Sequence, residues 1–427
     1  MTIDYAILSP TLIERLCNLM KTFLVGGAVR DKLLNYPVKE KDWVVIGETP
    51  DSMIKKGFRP VGKDFPVFLH PQSGEEYALA RTERKTAPGY KGFAVHASPD
   101  VSLEQDLMRR DLTINAIAMT PQGEIIDPYG GKDDLENRIF RHVSPAFAED
   151  PVRILRVARF AARYSHLGFT LAAETRTLMQ HMVAAGEVDH LVPERVWAEL
   201  FKALNEKSPS AFFYTLKDCS ALAKIFPEIH NLFGVPQPEK YHPEIDTGVH
   251  VMLCLEQAAA LSSSPEVRFA ALMHDLGKAL SPKEHWPHHY GHEKNGLPIL
   301  ERLCSRLRVP NAFKSLAMLV MRHHTHCHRA FELRASTLTD MLTALGAFKP
   351  SNNTLDYFLL ACAADAKGRI NHENNPYPQA DYIKGAAKAA ASVDTSAILK
   401  SDLQGAQIGE AIRRLRIKAV AEFMAVE

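Results

Sequence analysis

The chain has 427 residues, 51 Lys and Arg against 50 Asp and Glu (net charge +1), and 46% hydrophobic against 24% charged residues. That length holds two to four domains with a sizeable core, and the composition is ordinary for a globular protein. No run of about 18 apolar residues occurs, so no transmembrane helix is predicted; the near-zero net charge gives no bulk sign of nucleic-acid binding.

The six cysteines, at 17, 219, 254, 304, 327 and 362, stand singly without a CxxC pair. This usage fits free thiols in a reducing compartment. Residues 1–20 lack a basic segment leading into an apolar stretch, so no secretory signal is read and a cytoplasmic location is expected. Residues 1–21 carry no motif and read as an extension ahead of the first strand. Truncation to Met20 is expected to leave activity intact.

Residues 22–148 alternate short apolar stretches with Gly- and Pro-marked turns: Phe23–Val25, Trp43–Ile46, Val67–His70, Tyr77–Ala80 and Ile125–Ile126. They predict an α+β head with a small mixed sheet. Gly26-Gly27 joins the first strand to a helix over Ala28–Leu34. Two glycines let the backbone approach a polyphosphate, the helix start offers free N–H donors, and Arg30 lies one turn in. A plain tight turn is the alternative. Glu40 and Asp42 then stand two apart at the start of the next strand, where period-2 geometry puts both carboxylates on one side. Such a pair suits Mg²⁺ and in-line transfer of a nucleotidyl group; a charged strand edge is the alternative.

From Pro151 the pattern becomes helical, and residues 149–226 read as a mostly α-helical neck and body. Asp150 before Pro151 suits an N-cap followed by proline at the first helical position. Arg153, Arg156, Arg159 and Arg163 fall within an arc of about 120° on the wheel, with Ile154, Leu155, Val157, Ala158, Ala161 and Ala162 facing the core. Such a stripe repels itself unless anions sit opposite it, a need that a triphosphate would meet. Pro227, Pro236, Pro238 and Pro243 mark a loop into an all-α region over 227–349, and a helical tail follows over 350–427. In the all-α region His274 and Asp275 adjoin at a helix end, where both reach one cation, with further ligands from neighbouring helices. His292 and His324 are candidate extra ligands or phosphate contacts. His288, His289, His323, His326 and His328 read as loop and surface residues.

Leu24-Val25-Gly26-Gly27-Ala28-Val29-Arg30-Asp31 followed by Glu40-x-Asp42 resembles the signature of class II tRNA nucleotidyltransferases and of bacterial poly(A) polymerases. The blocks Arg81–Lys85, Arg109-Arg110-Asp111-Leu112-Thr113-Ile114-Asn115-Ala116 and Ile125–Gly131 follow in the family's order. The resemblance implies that Gly27, Arg30 and Arg110 contact the incoming nucleotide and that Glu40, where many relatives have Asp, and Asp42 hold Mg²⁺. Glu83 would approach the metals, while Asp111 and Asn115 would organise the ribose and hinge side. Glu149-Asp150-x-x-Arg153 resembles the family's protein template. An Asp acceptor and an Arg donor match the edges of both C and A, whereas G and U present a carbonyl to Asp and leave it unpaired. Arg156 and Arg159 would also contact the nucleotide.

Met273-His274-Asp275-Leu276-Gly277-Lys278, with His250 upstream and Asp365 downstream, resembles the HD phosphohydrolase core. The metal set implied is His250, His274, Asp275 and Asp365, and a histidine-rich set favours a borderline ion such as Ni²⁺. A head joined to an HD domain points to the CCA-adding subgroup. That subgroup implies CTP, ATP and tRNA as partners, no membrane, and a monomer or homodimer. It also implies phosphatase, 2′-nucleotidase and 2′,3′-cyclic phosphodiesterase activity. A poly(A) polymerase, or a non-catalytic tRNA- or nucleotide-binding protein, is the alternative.

Overall fold

Strands β1 (Lys21–Val25) and β2 (Asp42–Ile46) pair antiparallel in the middle of the head, with Val25 opposite Asp42. The computed structural model describes residues 20–38, 40–61, 66–85, 93–349, 353–400 and 402–426, with backbone only at 83–85, 93–95 and 399. Residues 1–19 of the expected extension, and the Glu83 side chain, therefore lie outside what is described.

The sheet continues through β3 (Arg59–Val61), β4 (Val67–Leu69), β5 (Glu76–Leu79), β8 (Ala118–Met119) and β9 (Ile125–Ile126) in the order β3-β4-β5-β2-β1-β8-β9. β2 and β5 run parallel and the other neighbours antiparallel, which makes the sheet mixed, as expected. β6 (Thr82–Lys85) and β7 (Phe93–His96) form a separate ribbon. Period-2 alternation divides the core between the two faces. Val44 packs with Val25, Ala80, Leu107, Ala116 and Ala118, while Val45 packs with Met53, Phe58, Phe68 and Leu79.

Helix α1 (Gly27–Leu33) starts directly at the glycine turn. Helix α2 (Val152–Tyr164) carries its apolar side inward: Ile154, Leu155, Val157, Ala158, Ala161 and Ala162 are all buried, as the wheel predicted. Each fully buried Ile, Leu or Val there contributes about 1.5–3 kcal/mol.

The chain divides into two compact units, one of residues up to 192 with 218–221, the other of 193–217 with 222 onward. The stretch expected as neck and body is thus shared between them. In the second unit α3 (Thr247–Leu261) is capped by Asp246, whose Oδ1 accepts from Val249 N at 2.9 Å. α4 (Pro265–Met273) is capped by Ser264, with proline at the first turn. α5 (His292–Leu307), α6 (Asn311–His328) and α7 (Thr354–Lys367) complete a bundle in which α3 meets α4 and α7, while α6 meets α4, α5 and α7. α7 lies beyond the expected boundary near 349, within the same unit. The tail contains helices over Gln379–Ala391 and Ala406–Met424.

Candidate active sites

The pairing of Val25 with Asp42 puts Asp42 at the end of the sheet where β1 turns into α1. β2 begins at Asp42, so Glu40 precedes the strand rather than sharing its pleat. Both residues are exposed. Partial desolvation pushes the Asp42 carboxyl above its ordinary value; Arg110 pulls it down and Glu40 pushes it up, leaving it raised. A carboxyl held in this way binds a proton, or a cation, more readily than an isolated one.

Gly26 adopts φ 67, in the left-handed region, and a Cβ there would lie 2.8 Å from Arg110 Nη1. The absent side chain therefore lets a guanidinium lie against the turn. Arg110 is steered by Asp106, whose Oδ2 it meets at 3.2 Å. Gly27 is the first residue of α1.

Arg30 is buried and bound within the protein: Nε donates to Asp31 Oδ1 at 2.9 Å and Nη1 to Asn115 Oδ1 at 2.5 Å. Asn115 in turn donates to Asp111 Oδ1 at 2.8 Å, and Asp111 Oδ2 accepts from Arg156 Nε at 2.7 Å. On the other side Asp31 Oδ2 accepts from Arg163 Nη2 at 2.8 Å. One alternating chain, Arg156–Asp111–Asn115–Arg30–Asp31–Arg163, thus links the first motif, the RRDxTxNA block and α2. Burial alone would raise Asp111; the Arg156 charge and the hydrogen bonds from Asn115 and Arg156 outweigh it and hold the carboxyl far below the usual range. Two of the anions that the arginine stripe requires are therefore protein carboxylates, Asp31 and Asp111.

Asp150 Oδ1 accepts from Val152 N at 3.1 Å, but the helix starts at Val152 with Pro151 in the N-cap position, one residue later than expected. Arg153 is buried, with Nη1 donating to Ala146 O at 2.8 Å and Nη2 to Arg109 O at 2.7 Å. Arg159 is also buried, its guanidinium 4.3 Å from the Phe160 ring centre.

The HD unit brings together the four residues expected from its sequence. His250 Nε2 lies 3.1 Å from Asp365 Oδ1, and His274 Nε2 lies 3.1 Å from Asp275 Oδ2 and 3.5 Å from Asp365 Oδ2. All four are buried. Two imidazoles and two carboxylates at these spacings are a fit donor set for a divalent cation. Burial would lower the His274 pKa, but Asp275 and Asp365 raise it to about 9; burial would raise both carboxyls, but His274, with Lys278 at Asp275 and His328 at Asp365, outweighs it and keeps them well below their usual value.

Several residues here were not foreseen. Glu244, its side chain buried, accepts from His250 Nδ1 at 2.9 Å and His242 Nδ1 at 3.1 Å, which aims His250 Nε2 at the cluster. Lys278 Nζ lies 2.6 Å from Asp275 Oδ2 and 2.5 Å from Gln237 Oε1. His328 was read as a loop or surface residue; it sits on α6 instead, with Nε2 2.6 Å from Asp365 Oδ2 and Nδ1 3.0 Å from the Tyr377 hydroxyl. Its i,i+4 spacing from His324 was the available signal.

Family models match three segments: the Poly A polymerase head domain over residues 22–141, the "probable RNA and SrmB-binding site of polymerase A" over 168–233, and the HD domain over 247–365. The multifunctional CCA protein of Methylococcus capsulatus is 65% identical over 406 residues, covering 95% of this chain and 96% of that protein. That of Teredinibacter turnerae is 60% identical, covering 94% and 97%. Among solved structures, the fold matches the Bacillus stearothermophilus CCA-adding enzyme in complex with CTP at TM-score 0.64 and 21% identity, over 96% of this chain and 92% of that one. It also matches the Thermotoga maritima CCA-adding enzyme complexed with tRNA at TM-score 0.59 and 20% identity, over 97% and 93%. With no helix among the described residues long and apolar enough to cross a membrane, and with identity this high along nearly the whole length, the chain belongs to the multifunctional CCA protein family, CCA-adding nucleotidyltransferases that carry an HD phosphohydrolase domain.

Proposed function

We propose that the head completes and repairs the 3′ end of tRNA, adding C, C and A from CTP and ATP with release of pyrophosphate. The observation that carries this reading is the placement of Asp42 beside the glycine turn, with Arg110 lying against Gly26. A carboxylate suited to a cation and a guanidinium suited to phosphates at the same end of the sheet support this reading.

Glu40 and Asp42 would hold Mg²⁺, which when bound neutralises phosphate charge and activates the 3′-hydroxyl; a pair of ions suits the in-line displacement. Arg110 contacts the triphosphate and Gly27 allows its close approach. Arg30, turned inward, stiffens the turn through Asp31 and Asn115. Asp150 and Arg153 read the base. Each is already bonded to the backbone, Asp150 by Val152 N and Arg153 by the carbonyls of Ala146 and Arg109, and this restraint supports a rigid template. A guanine or uracil carbonyl facing Asp150 leaves a desolvated acceptor unpaired, which disfavours both bases. Arg156 and Arg159 complete the nucleotide contacts.

His250, His274, Asp275 and Asp365 would hold a borderline cation such as Ni²⁺ in the HD unit. That site would remove 2′-phosphates and open 2′,3′-cyclic phosphates at damaged tRNA ends before repair, in the cytoplasm. tRNA binding through shape and backbone contacts would be salt-sensitive.

The test is incorporation into tRNA lacking its CCA end, with CTP and ATP supplied separately and together. Two C residues from CTP alone, and one terminal A only when both are present, is the expected result. Continuous A addition from ATP alone would assign a poly(A) polymerase instead, and absence of incorporation a binding protein.

A further inference from the structure

The loop over residues 281–291 leaves and returns to a single carboxylate. Lys278, shortly before it, places Nζ 2.6 Å from Asp275 Oδ2, and His292, directly after it, places Nε2 3.4 Å from Asp275 Oδ1. With both ends held there, the loop borders the buried donor set of the HD unit. It is also braced along its length. Trp286 Nε1 donates to Ser281 O at 3.2 Å, and His288 N donates to His285 O at 2.8 Å. His289 Nε2 donates to Pro236 O at 2.8 Å, tying the loop to the segment whose Gln237 and Glu244 meet Lys278 and His250.

What this braced loop presents to water is aromatic. Tyr290 is 75% exposed, more than any other aromatic side chain among the described residues. Its ring stacks on His288, with centres 5.9 Å apart and planes 23° from parallel, and meets His285 edge-on at 6.1 Å. Both histidines are exposed as well. A ring left in water adds little to folding by burial. Held in place beforehand, it offers a flat face to a ligand at a small cost in ordering. Nucleobases stack on such faces with little regard to sequence, because every base has a π-face.

The neighbouring donor set indicates the occupant. A 2′-nucleotide carries its base on the ribose carbon next to the one that bears the phosphate, so a phosphate held by the donor set leaves the base one sugar away. Tyr290 precedes His292 by two residues, which keeps the two backbones within about 8 Å. We propose that Tyr290, backed by His288, is the stacking platform for the base of the nucleotide whose phosphate the HD unit removes. The inference rests on the reading of that unit as a hydrolase of 2′-phosphates. It makes the loop a specificity element, favouring nucleotides over phosphate esters that have no base and accepting purines and pyrimidines alike.

The experiment compares the full, Ni²⁺-loaded chain with Tyr290→Ala and Tyr290→Phe. kcat and KM are measured on 2′-AMP, on tRNA ending in a 2′-phosphate, and on glycerol 2-phosphate, which has no base. Tyr290→Ala should raise KM for 2′-AMP by about 5- to 100-fold while kcat holds, so the preference for 2′-AMP over glycerol 2-phosphate falls by that factor. Tyr290→Phe keeps the ring and should keep the preference. A matching fall on the tRNA supports a platform used by RNA ends as well as free nucleotides; a fall on 2′-AMP alone supports one used by free nucleotides. An unchanged preference, or an equal loss on all three substrates, overturns the platform. Saturation-transfer NMR with 2′-AMP separates this inference from the reading beneath it. Transfer to the base protons that is lost in Tyr290→Ala supports the platform even where no phosphate is released, in which case the hydrolase reading alone fails. Transfer that does not depend on Tyr290 overturns the platform and leaves the hydrolase reading standing.

Discussion

Gly277 follows His274-Asp275 by a few residues and lies against the start of α5. A Cβ at this position would lie 2.0 Å from His292 O and 2.8 Å from both His292 C and Gly296 N. These are backbone atoms, so no flexible side chain can swing away. Restoring a contact of even 3 Å requires a displacement of roughly 1 Å between the segment holding Asp275 and the helix that opens with His292, in a close-packed interior. Forcing one methyl into such a core costs about 1–3 kcal/mol, and contact with backbone on both sides puts Gly277→Ala near the upper end. At roughly 2–4 °C per kcal/mol for a unit of this size, the thermal transition should fall by about 6–12 °C. Hydrolysis of a 2′,3′-cyclic nucleotide should drop by about 10- to 100-fold, since a shift of about 1 Å in a positioning element has that effect. CCA addition by the same preparation provides the reference and should hold within about twofold, because Gly277 belongs to the other unit. An unchanged melting curve with unchanged hydrolysis would refute the packing argument.

Further outcomes follow from other residues. Asp150→Ala should let G and U compete with C and A while Mg²⁺ binding survives, as read by incorporation of each nucleotide separately; unaltered selectivity rejects the template role. The Asp42 carboxyl is raised above its ordinary value, so its proton competes with metal from a higher pH than at an isolated carboxylate, about 3.9. Nucleotide addition should therefore weaken as pH falls, beginning above that value, and the Mg²⁺ needed for half-maximal rate should rise with it. Asp31→Ala leaves buried Arg30 without its carboxylate partner and should cost about 3–5 kcal/mol in denaturant unfolding. Glu244→Gln should weaken HD metal binding by about 10- to 100-fold by releasing His250 Nδ1; equal affinity by calorimetry would show that the carboxylate does not orient the ring.

Much of the fold and of both candidate sites was legible because local chemistry and chain order agreed. Apolar triplets beside Gly26-Gly27 and at Trp43–Ile46 became the central strands, and Val152–Tyr164 showed its buried side through a 3.6-residue period. Arg59–Val61, with a proline in its middle, did not read as a strand; it lies at the sheet edge, where a missing N–H costs little. Ala118–Met119 is too short to show any period. The side-chain partners were hidden for another reason. Glu244 meets His250 across a loop, and Arg30 meets Asn115 across 85 residues, so neither spacing announces the contact. Arg156 and Arg163 read as triphosphate ligands, yet the carboxylates they meet, Asp111 and Asp31, come from motifs noted for other roles.

The chain of bonds from Arg156 to Arg163 also bears on how such an enzyme can be remodelled. The helix that carries Arg153, proposed here as a base reader, is keyed to the head by two carboxylates, so it cannot be transplanted as a cassette. A chimera that imports the helix from a distant relative must bring counterparts of Asp31, Asp111 and Asn115 with it. Otherwise it buries arginines without partners at the seam. Specificity and chemistry in this half of the molecule are inherited together.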